Sequence, residues 1–250
     1  MPTLSRDELG RYLQQLLQVD AFDDHAPNGL QVQGRPTIRR LVSGVTASLE
    51  LVQRAAQLDA CAILVHHGWF WRGEDPRVVG QRHKRLHALL QAGINLYAYH
   101  LPLDAHPELG NNAQLAARLG WQAQSRFGKQ QLGVLGRAPQ ATRAELAEAL
   151  ERLLGRAPVL VGDAGAPVGR LAWCTGAAQG WIEQAQQAGA DTYVSGEISE
   201  PTAHFAREMG IAYLACGHHA TERYGVQALG AHLAGHFGLE HRFIDLDNPA

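Results

Sequence analysis

The sequence lacks the features that mark secreted, disulfide-stabilised or membrane-spanning proteins. It has only three cysteines in 250 residues, and an odd number of cysteines with no close pair argues against a disulfide framework or a zinc knuckle. No segment approaches the roughly 20 apolar residues that a membrane-spanning helix requires. The first residues do not combine a basic stretch with an apolar one, as a signal peptide would. We therefore expect a cytoplasmic protein, with Cys61, Cys174 and Cys216 as small buried residues.

An excess of charge of either sign is also lacking. Charged residues make up 18% of the chain and the formal net charge is -2 at pH 7, so bulk charge gives no signal for binding nucleic acid or an acidic membrane. The sequence contains neither a Walker phosphate-binding loop nor the serine motif of a nucleophile elbow, which excludes two common enzyme classes. Hydrophobic residues make up 46%, and a chain of this length can build one large or two small domains.

Apolar runs of strand length alternate with amphipathic segments of helical length in the first half of the chain. Such alternation is typical of α/β proteins with parallel strands. The predicted strands cover residues 41–45, 61–66 and 94–99, and the predicted helices cover about 47–58, 82–92 and 107–119.

The second half of the chain repeats this pattern. Polar residues match between the halves as well as apolar ones, which favours a duplication over a chance resemblance of short apolar strands. Alignment of the halves places Ala60–Val65 on Ala190–Ser195, and the pair His100 and Asp104 on the pair His218 and Glu222.

We therefore predict two similar α/β domains related by internal duplication. The first spans residues 1–125 and carries tandem histidines, and the second spans residues 126–250 and carries a histidine and glutamate pair. The C-terminal segment could pack back on the first domain. A metal site is expected at the carboxyl ends of the strands, between the two domains, because α/β proteins place their chemistry there.

Three predicted strands end in histidine. The run Cys61–Val65 is followed by His66 and His67, the strand at 94–99 is followed by His100, and the strand at 211–216 is followed by Gly217 and His218. Asp104 and Glu222 each lie four residues after a histidine. If these strands are parallel, their polar ends converge, and a group of imidazoles and carboxylates predicts a metal site.

Each of these residues also has an ordinary structural interpretation. A histidine pair can simply end a strand, and Glu222 can be a first-turn carboxylate that interacts with a helix dipole. Pro102 lies between His100 and Asp104, so we expect that segment to be a loop. What favours the metal hypothesis is that three separate strands end in the same way.

Six plausible ligands are too many for one ion. Imidazole and carboxylate together suit zinc, manganese, iron or nickel better than calcium. Two such ions about 3.5–4 Å apart are commonly bridged by a carboxylate and a water that becomes a nucleophile near neutral pH. Asp104 and Glu222 are the candidates to bridge.

Three aromatic residues, Trp69, Phe70 and Trp71, directly follow the tandem histidines. Such a run usually belongs to a core or to a subunit interface. The alternative is a wall on which a purine or pterin ring stacks. Glu197 and His204 lie near the second copy of the site and could contact substrate, although a capping or surface role is the more common one.

At these residues the sequence resembles the NIF-three-like family of dinuclear-metal proteins, often called GTP cyclohydrolase I type 2 homologues. The resemblance spans nearly the whole chain in the family's order. The matching segments are Ala26–Val32, Gly44–Thr46, Val65–Gly68, His100–Asp104 with Asn111 and Asn112, Ser195–Glu197, and Gly217–Glu222.

The resemblance implies two divalent metal ions per chain in a homohexamer of toroidal shape. It implies that Glu222 bridges the ions and that His100 lies close to them, as a ligand or a proton carrier. His219 is not counted as a ligand, and the chain lacks the long domain that some relatives carry between the halves. The implied metal ligands are His66, His67, Asp104, His218 and Glu222.

The activity implied by the resemblance is hydrolysis of the guanine ring of GTP, with release of formate. We therefore expect a metal-dependent hydrolase that acts on a nucleotide or a related heterocycle, with His100 assisting catalysis. A phosphoesterase or a peptidase would use the same site on a different electrophile. The competing hypothesis is a non-enzymatic metal-binding hexamer, acting as a regulatory interaction partner or a metal store.

Overall fold

The computed structural model describes residues 4–250 as two compact α/β units, each built on a β-sheet with both parallel and antiparallel strands. The first unit comprises residues 4–109 and Gly225–Asp247, and the second comprises Gly110–Tyr224 and Asn248–Ala250. The predicted domains, 1–125 and 126–250, describe the duplicated halves and stay a prediction. Within residues 4–250, no helix has the length and apolar character needed to cross a membrane.

The first unit contains a five-stranded sheet in which three consecutive pairs are parallel. Its spatial order is β13, β4, β5, β6, β2, and only the edge strand β2 runs antiparallel to its neighbour. The strands are β2 (Gly29–Val32), β4 (Arg40–Thr46), β5 (Ala62–His67), β6 (Asn95–Ala98) and β13 (Glu240–Phe243), with a separate short pair of β1 (Leu4–Ser5) and β3 (Thr37–Ile38).

Helices cover this sheet because their apolar faces match its buried strands. In α1 (Arg6–Leu16), Leu9 and Leu13 are buried in the same core cluster as Leu41 of β4 and Leu64 of β5. The Ser5 hydroxyl accepts a hydrogen bond from the Glu8 N–H at 3.1 Å, which caps the N-terminus of this helix. The helices are α1 (Arg6–Leu16), α2 (Leu49–Gln57), α3 (Gly80–Ala92), α4 (Leu101–Ala105) and, from residue 225 onward, α10 (Arg223–Phe237).

The second unit contains a six-stranded sheet with three parallel strands at its centre. Its spatial order is β7, β8, β10, β11, β12, β9, and β10, β11 and β12 are parallel. The strands are β7 (Gln122–Phe127), β8 (Gly133–Arg137), β9 (Val159–Val161), β10 (Leu171–Trp173), β11 (Thr192–Ser195) and β12 (Ala212–Ala215). The helices are α5 (Asn111–Leu119), α6 (Arg143–Leu154), α7 (Ile182–Gln187), α8 (Glu200–Met209) and α9 (His218–Thr221).

The predicted α/β class is confirmed, and the two sheets have similar layouts. In each sheet the middle strands follow one another in sequence, β4, β5 and β6 in one and β10, β11 and β12 in the other, and helices connect them. The internal duplication that this similarity suggests stays a prediction. The three cysteines are buried, as expected for small core residues.

One local prediction was wrong. The segment that contains Pro102 is the short helix α4, not a loop. Proline is tolerated in the first turn of a helix, where its missing N–H would have no intrahelical acceptor. Because the segment is helical, the N–H of Asp104 bonds to the carbonyl of His100 at 3.1 Å. The four-residue spacing therefore corresponds to one turn of helix, which brings the two residues close together.

Candidate metal centre

Three imidazoles meet at the carboxyl ends of two neighbouring parallel strands in the first unit. His66 and His67 are the last two residues of β5, and His100 lies just beyond β6. One candidate ligand nitrogen from each ring lies within 4.8 Å of those of the other two. The ring centroid of His66 lies 4.6 Å from that of His67 and 5.1 Å from that of His100. Three imidazoles at this spacing can coordinate one metal ion.

Hydrogen bonds from two different segments of the chain set the orientations of the two adjacent histidines. His66 is fully buried, and its Nδ1–H donates to the carbonyl oxygen of Tyr99 at 3.0 Å. Nδ1 of His67 and the hydroxyl of Thr46, at the end of β4, share a hydrogen bond of 3.2 Å. In both rings Nδ1 is engaged with oxygen, so Nε2 is the candidate ligand nitrogen.

His100 is held by the buried carboxylate of Asp24. Nδ1 of His100 donates to Oδ1 of Asp24 at 2.7 Å, and Oδ2 accepts from the Leu101 N–H and from the Asn28 amide, both at 2.9 Å. Although burial raises the pKa of Asp24, the hydrogen bond and charge of His100 together with these donors hold that pKa well below its usual range. Asp24 is therefore an anion that orients the His100 ring.

Asp104 adds a carboxylate to the histidines of the first unit. It lies in α4, it is 9% exposed, and its Oδ1 lies 3.6 Å from Nε2 of His66. This nitrogen is the one that does not bond to the Tyr99 carbonyl. The first unit therefore places four of the predicted site residues together, and we name them the histidine cluster: His66, His67, His100 and Asp104.

The second unit brings together a histidine and two carboxylates at the end of β12. Nδ1 of His218 lies 2.8 Å from Oε1 of Glu197, and its Nε2 lies 3.0 Å from Oε2 of Glu222. Glu222 is almost fully buried at 3% exposure. We name His218 and Glu222 the His–Glu pair. A buried carboxylate beside an imidazole is a donor set suited to a transition metal.

Gly176 makes room for the His–Glu pair. Its φ angle is +71°, and a Cβ atom built on it would lie 2.0 Å from Oε1 of Glu222 and 3.3 Å from Nε2 of His218. Its N–H donates to the hydroxyl of Thr221, and that hydroxyl donates to the carbonyl of His218. Any side chain at position 176 would therefore displace the Glu222 carboxylate, so this position requires glycine both for space and for its positive φ angle.

The two carboxylates beside His218 control its protonation. Although burial lowers the pKa of His218, the hydrogen bonds and charges of Glu222 and Glu197 raise it to about 9. In the absence of a divalent ion, a proton on His218 thus balances part of this negative charge. A divalent ion would compete with that proton for the same nitrogen, because a ligating imidazole must be neutral.

The residues present fit divalent metal ions by their donor chemistry. Nδ1 of every candidate histidine is hydrogen-bonded to oxygen, from the Tyr99 carbonyl, the Thr46 hydroxyl, or the carboxylates of Asp24 and Glu197. Metal-binding histidines in proteins are nearly always held through their other ring nitrogen in this way.

Sequence reasoning missed Asp24 and undervalued Glu197. Asp24 lies in an irregular segment before the turn at Pro27 and Asn28, so no strand or helix periodicity marked it. Its signal was a pair of acidic residues next to a turn. Glu197, expected to have a capping or surface role, instead orients His218. The histidine cluster and the His–Glu pair belong to different units, so a single centre shared by them stays a prediction.

Comparison with known proteins then identifies the family. Residues 4–249 match the profile of the family described as Duf34/NIF3 (NGG1p interacting factor 3). The chain belongs to the DUF34/NIF3 family. A protein of Pseudomonas aeruginosa named GTP cyclohydrolase 1 type 2 homolog is 52% identical over 248 residues, which cover 98% of this chain and 96% of the relative. A protein of the same name from Allochromatium vinosum is 53% identical over 245 residues, covering 97% and 96% of the two chains.

Solved structures agree with this assignment to the DUF34/NIF3 family. The structure of protein ybgI, described as being of unknown function, has a TM-score of 0.95 at 47% identity and covers 99% of this chain and 100% of its own. The structure of TTHA1606 from Thermus thermophilus has a TM-score of 0.86 at 37% identity, with coverage of 99% and 100%. The predicted resemblance to the family is confirmed.

Proposed function

We propose that this DUF34/NIF3 protein is a metal-dependent hydrolase that holds two divalent ions per chain and acts on a nucleotide or a related heterocycle. Curated relatives with about half of their residues identical carry the name GTP cyclohydrolase 1 type 2 homolog, which supports the choice of substrate class. The proposed metal ligands are His66, His67, Asp104, His218 and Glu222, with Glu222 as the bridge.

The observation that carries this proposal is the common orientation of the four histidines. In each ring Nδ1 is hydrogen-bonded to oxygen, and in His66 and His218 the other nitrogen faces a carboxylate, at 3.6 Å and 3.0 Å. A histidine that merely ends a strand has no need of such arrangement. Preorganised imidazoles cost little to order when an ion binds, and this raises affinity for metal.

Divalent ions, when bound, supply Lewis acidity and a water of lowered pKa for hydrolysis. The chain itself supplies a means of moving the proton. The Asp24 carboxylate fixes Nδ1 of His100 as a donor, so Nε2 of His100 is available to accept a proton from a nucleophile or to deliver it to a leaving group. The carboxylate also stabilises the imidazolium that forms after proton transfer, as a buried aspartate does in other histidine pairs.

Turnover tests the proposal directly. Purified protein loaded with manganese, zinc, iron or nickel is incubated with GTP, with nucleoside phosphates and with peptides, and formate, phosphate and amines are measured. We expect formate release from GTP that is lost in both His66→Ala and Glu222→Ala. Release of phosphate or cleavage of peptides in its place would identify a phosphoesterase or a peptidase. Metal occupancy with no product from any substrate would instead identify a metal-binding protein and refute the enzymatic proposal.

We also propose that the chain assembles as a homohexamer, as its family resemblance implies. Light scattering coupled to size-exclusion chromatography measures the mass independently of shape. A mass six times that of the 27.2 kDa chain supports the hexamer. A monomer or dimer at all concentrations tested would contradict it.

A further inference from the structure

A small cavity in the first unit lies beside the histidine cluster and has two arginines in its wall. Its volume is about 130 Å³, and its lining includes Trp69, Trp71, Glu74, Arg82 and Arg85. Trp71 also borders the histidines, since its ring centroid lies 5.0 Å from that of His100 and 6.0 Å from that of His67. The cavity and the histidine cluster therefore share one aromatic wall.

Arg85 is the unusual residue of this cavity. It projects from α3, and its Nε is buried and makes no hydrogen bond to any of residues 4–250. Burying an N–H group removes its hydrogen bond to water, and this costs free energy when no protein acceptor replaces the water. Such groups are uncommon in native proteins. Burial also lowers the pKa of Arg85, with Glu74 opposing that effect. An acceptor supplied by a ligand would remove this cost.

The other charges of the cavity leave Arg85 to bind an anion. Arg82 is paired with Glu74 at 2.5 Å and also donates to the carbonyl of Asp75. Among residues 4–250, Glu74 is the one carboxylate that lines the cavity, and it is already engaged by Arg82. Two guanidinium groups and one carboxylate give the cavity lining a net positive charge. The N–H groups of a guanidinium can donate two parallel hydrogen bonds to the oxygens of a carboxylate or a phosphate.

The size of the cavity limits what it can hold. Pockets for whole small molecules measure about 300–1,000 Å³, so a cavity of about 130 Å³ accommodates one group of a ligand. We infer that this cavity is an oxyanion subsite, in which Arg85 binds a phosphate or carboxylate group of a ligand that extends along Trp71 toward the histidine cluster. The inference rests on the proposed function only for the identity of that ligand, because binding of the anion does not require a metal.

Calorimetric titration of metal-depleted full-length protein tests the subsite with simple probes. Inorganic phosphate, acetate and phenyl phosphate are titrated separately, and we expect saturable binding of at least one of them. Arg85→Gln removes the charge while keeping a long polar side chain, and we expect it to weaken binding at least tenfold. Arg85→Lys should retain part of the affinity. The matched control is Lys84→Gln, which removes an exposed positive charge one residue away and should change affinity less than twofold.

The probes distinguish the two oxyanions and the role of the aromatic wall. Binding of phosphate without acetate assigns the subsite to phosphate groups, and the reverse assigns it to carboxylates. Phenyl phosphate should bind several-fold more tightly than phosphate, and Trp71→Ala should remove that advantage because the phenyl ring loses its stacking surface. Equal affinity in the wild type and in a folded Arg85→Gln variant, or no saturable binding of any probe, would overturn the inference.

A variant of the histidine cluster separates this inference from the proposed function. His66→Ala should lose metal while it retains anion binding to Arg85. If anion binding survives in His66→Ala and no substrate is turned over by the wild type, the subsite stands and the hydrolase proposal fails. If turnover is found but no anion binds in an Arg85-dependent manner, the hydrolase stands and the subsite fails.

Discussion

Nδ1 of His218 lies 2.8 Å from a carboxylate oxygen of Glu197, on the side of the ring opposite to Glu222. This relationship fixes the ring so that Nε2 points at the buried carboxylate. Asp24 has the same relationship to His100 in the first unit. Glu197 and Asp24, which sequence patterns indicated weakly or not at all, therefore orient histidines that those patterns indicated clearly.

Replacement of Glu197 should weaken metal binding without removing a proposed ligand. We expect Glu197→Gln to lower metal affinity by roughly 10–100-fold, the usual effect of removing the partner of a ligating histidine. Competition against a chromophoric chelator measures this affinity. The control is Glu200→Gln, which removes an exposed carboxylate near the N-terminus of α8. Equal metal affinity in Glu197→Gln and Glu200→Gln would show that Glu197 does not support the His–Glu pair.

Gly176→Ala should disrupt the His–Glu pair by steric contact. The new methyl group would lie 2.0 Å from Oε1 of Glu222, so the carboxylate must move. The φ angle of +71° adds about 1–2 kcal/mol of backbone cost. We expect metal content to fall and the urea midpoint to decrease.

Gly180→Ala is the matched control for Gly176→Ala, because nothing lies within 4 Å of a Cβ atom built at position 180. It should retain its metal content and its stability to within about 0.5 kcal/mol, as surface substitutions usually do. Full metal content in Gly176→Ala would contradict the tight fit that the structure shows around Glu222.

Asp24→Asn tests the proton-transfer role of His100. The amide can still accept a hydrogen bond from Leu101, but it can no longer stabilise a protonated His100 by charge. We expect turnover to fall at least tenfold while metal content stays within a factor of two. Asp23→Asn is the neighbouring control, because Asp23 is an exposed residue paired with Arg72 at 3.2 Å. A parallel loss of metal and turnover in Asp24→Asn would instead make Asp24 a support for metal binding.

Much of the fold follows from local sequence patterns. Strands β4, β5 and β6 were predicted because their apolar runs have strand length and are bounded by helical segments. The histidine cluster was also predictable in outline, because parallel strands bring His66, His67 and His100 to one edge. These features depend only on short-range periodicity and on the direction of the strands.

The remaining features depend on contacts between distant segments. Strand β13 pairs in parallel with β4, so residues near the end of the chain complete the sheet of the first unit. Its sequence, Glu240–Phe243, has mostly polar residues and no buried run that would have marked it. Asp24 likewise gains its role only when the irregular segment around it packs against His100, at a separation of 76 residues.

Strand β13 also contains His241, from which we predict a loss of stability at low pH. Its Nε2 lies 2.8 Å from the hydroxyl of Ser43, and burial lowers its pKa below the ordinary value of 6.5. The unfolded chain therefore takes up a proton at a higher pH than the folded chain does. The stabilising contribution is complete above about pH 6.5 and is lost as the pH falls through the folded pKa.

Urea unfolding of the metal-depleted protein between pH 5 and 8 measures this dependence. His241→Asn should flatten the decline of the unfolding free energy below pH 6.5, whereas His87→Gln, at an exposed position of α3, should leave the decline unchanged. An identical slope in the wild type and in His241→Asn would show that another group is responsible.

The proposal that the chain holds a pair of ions is tested most directly by its metal content. Elemental analysis of protein purified without added metal, normalised to the concentration of chains, gives the number of ions bound. We predict a value near two for the wild type and a clear reduction in both His66→Ala and Glu222→Ala. A value near zero for the wild type, unchanged after incubation with manganese, zinc, iron or nickel, would contradict the metal centre.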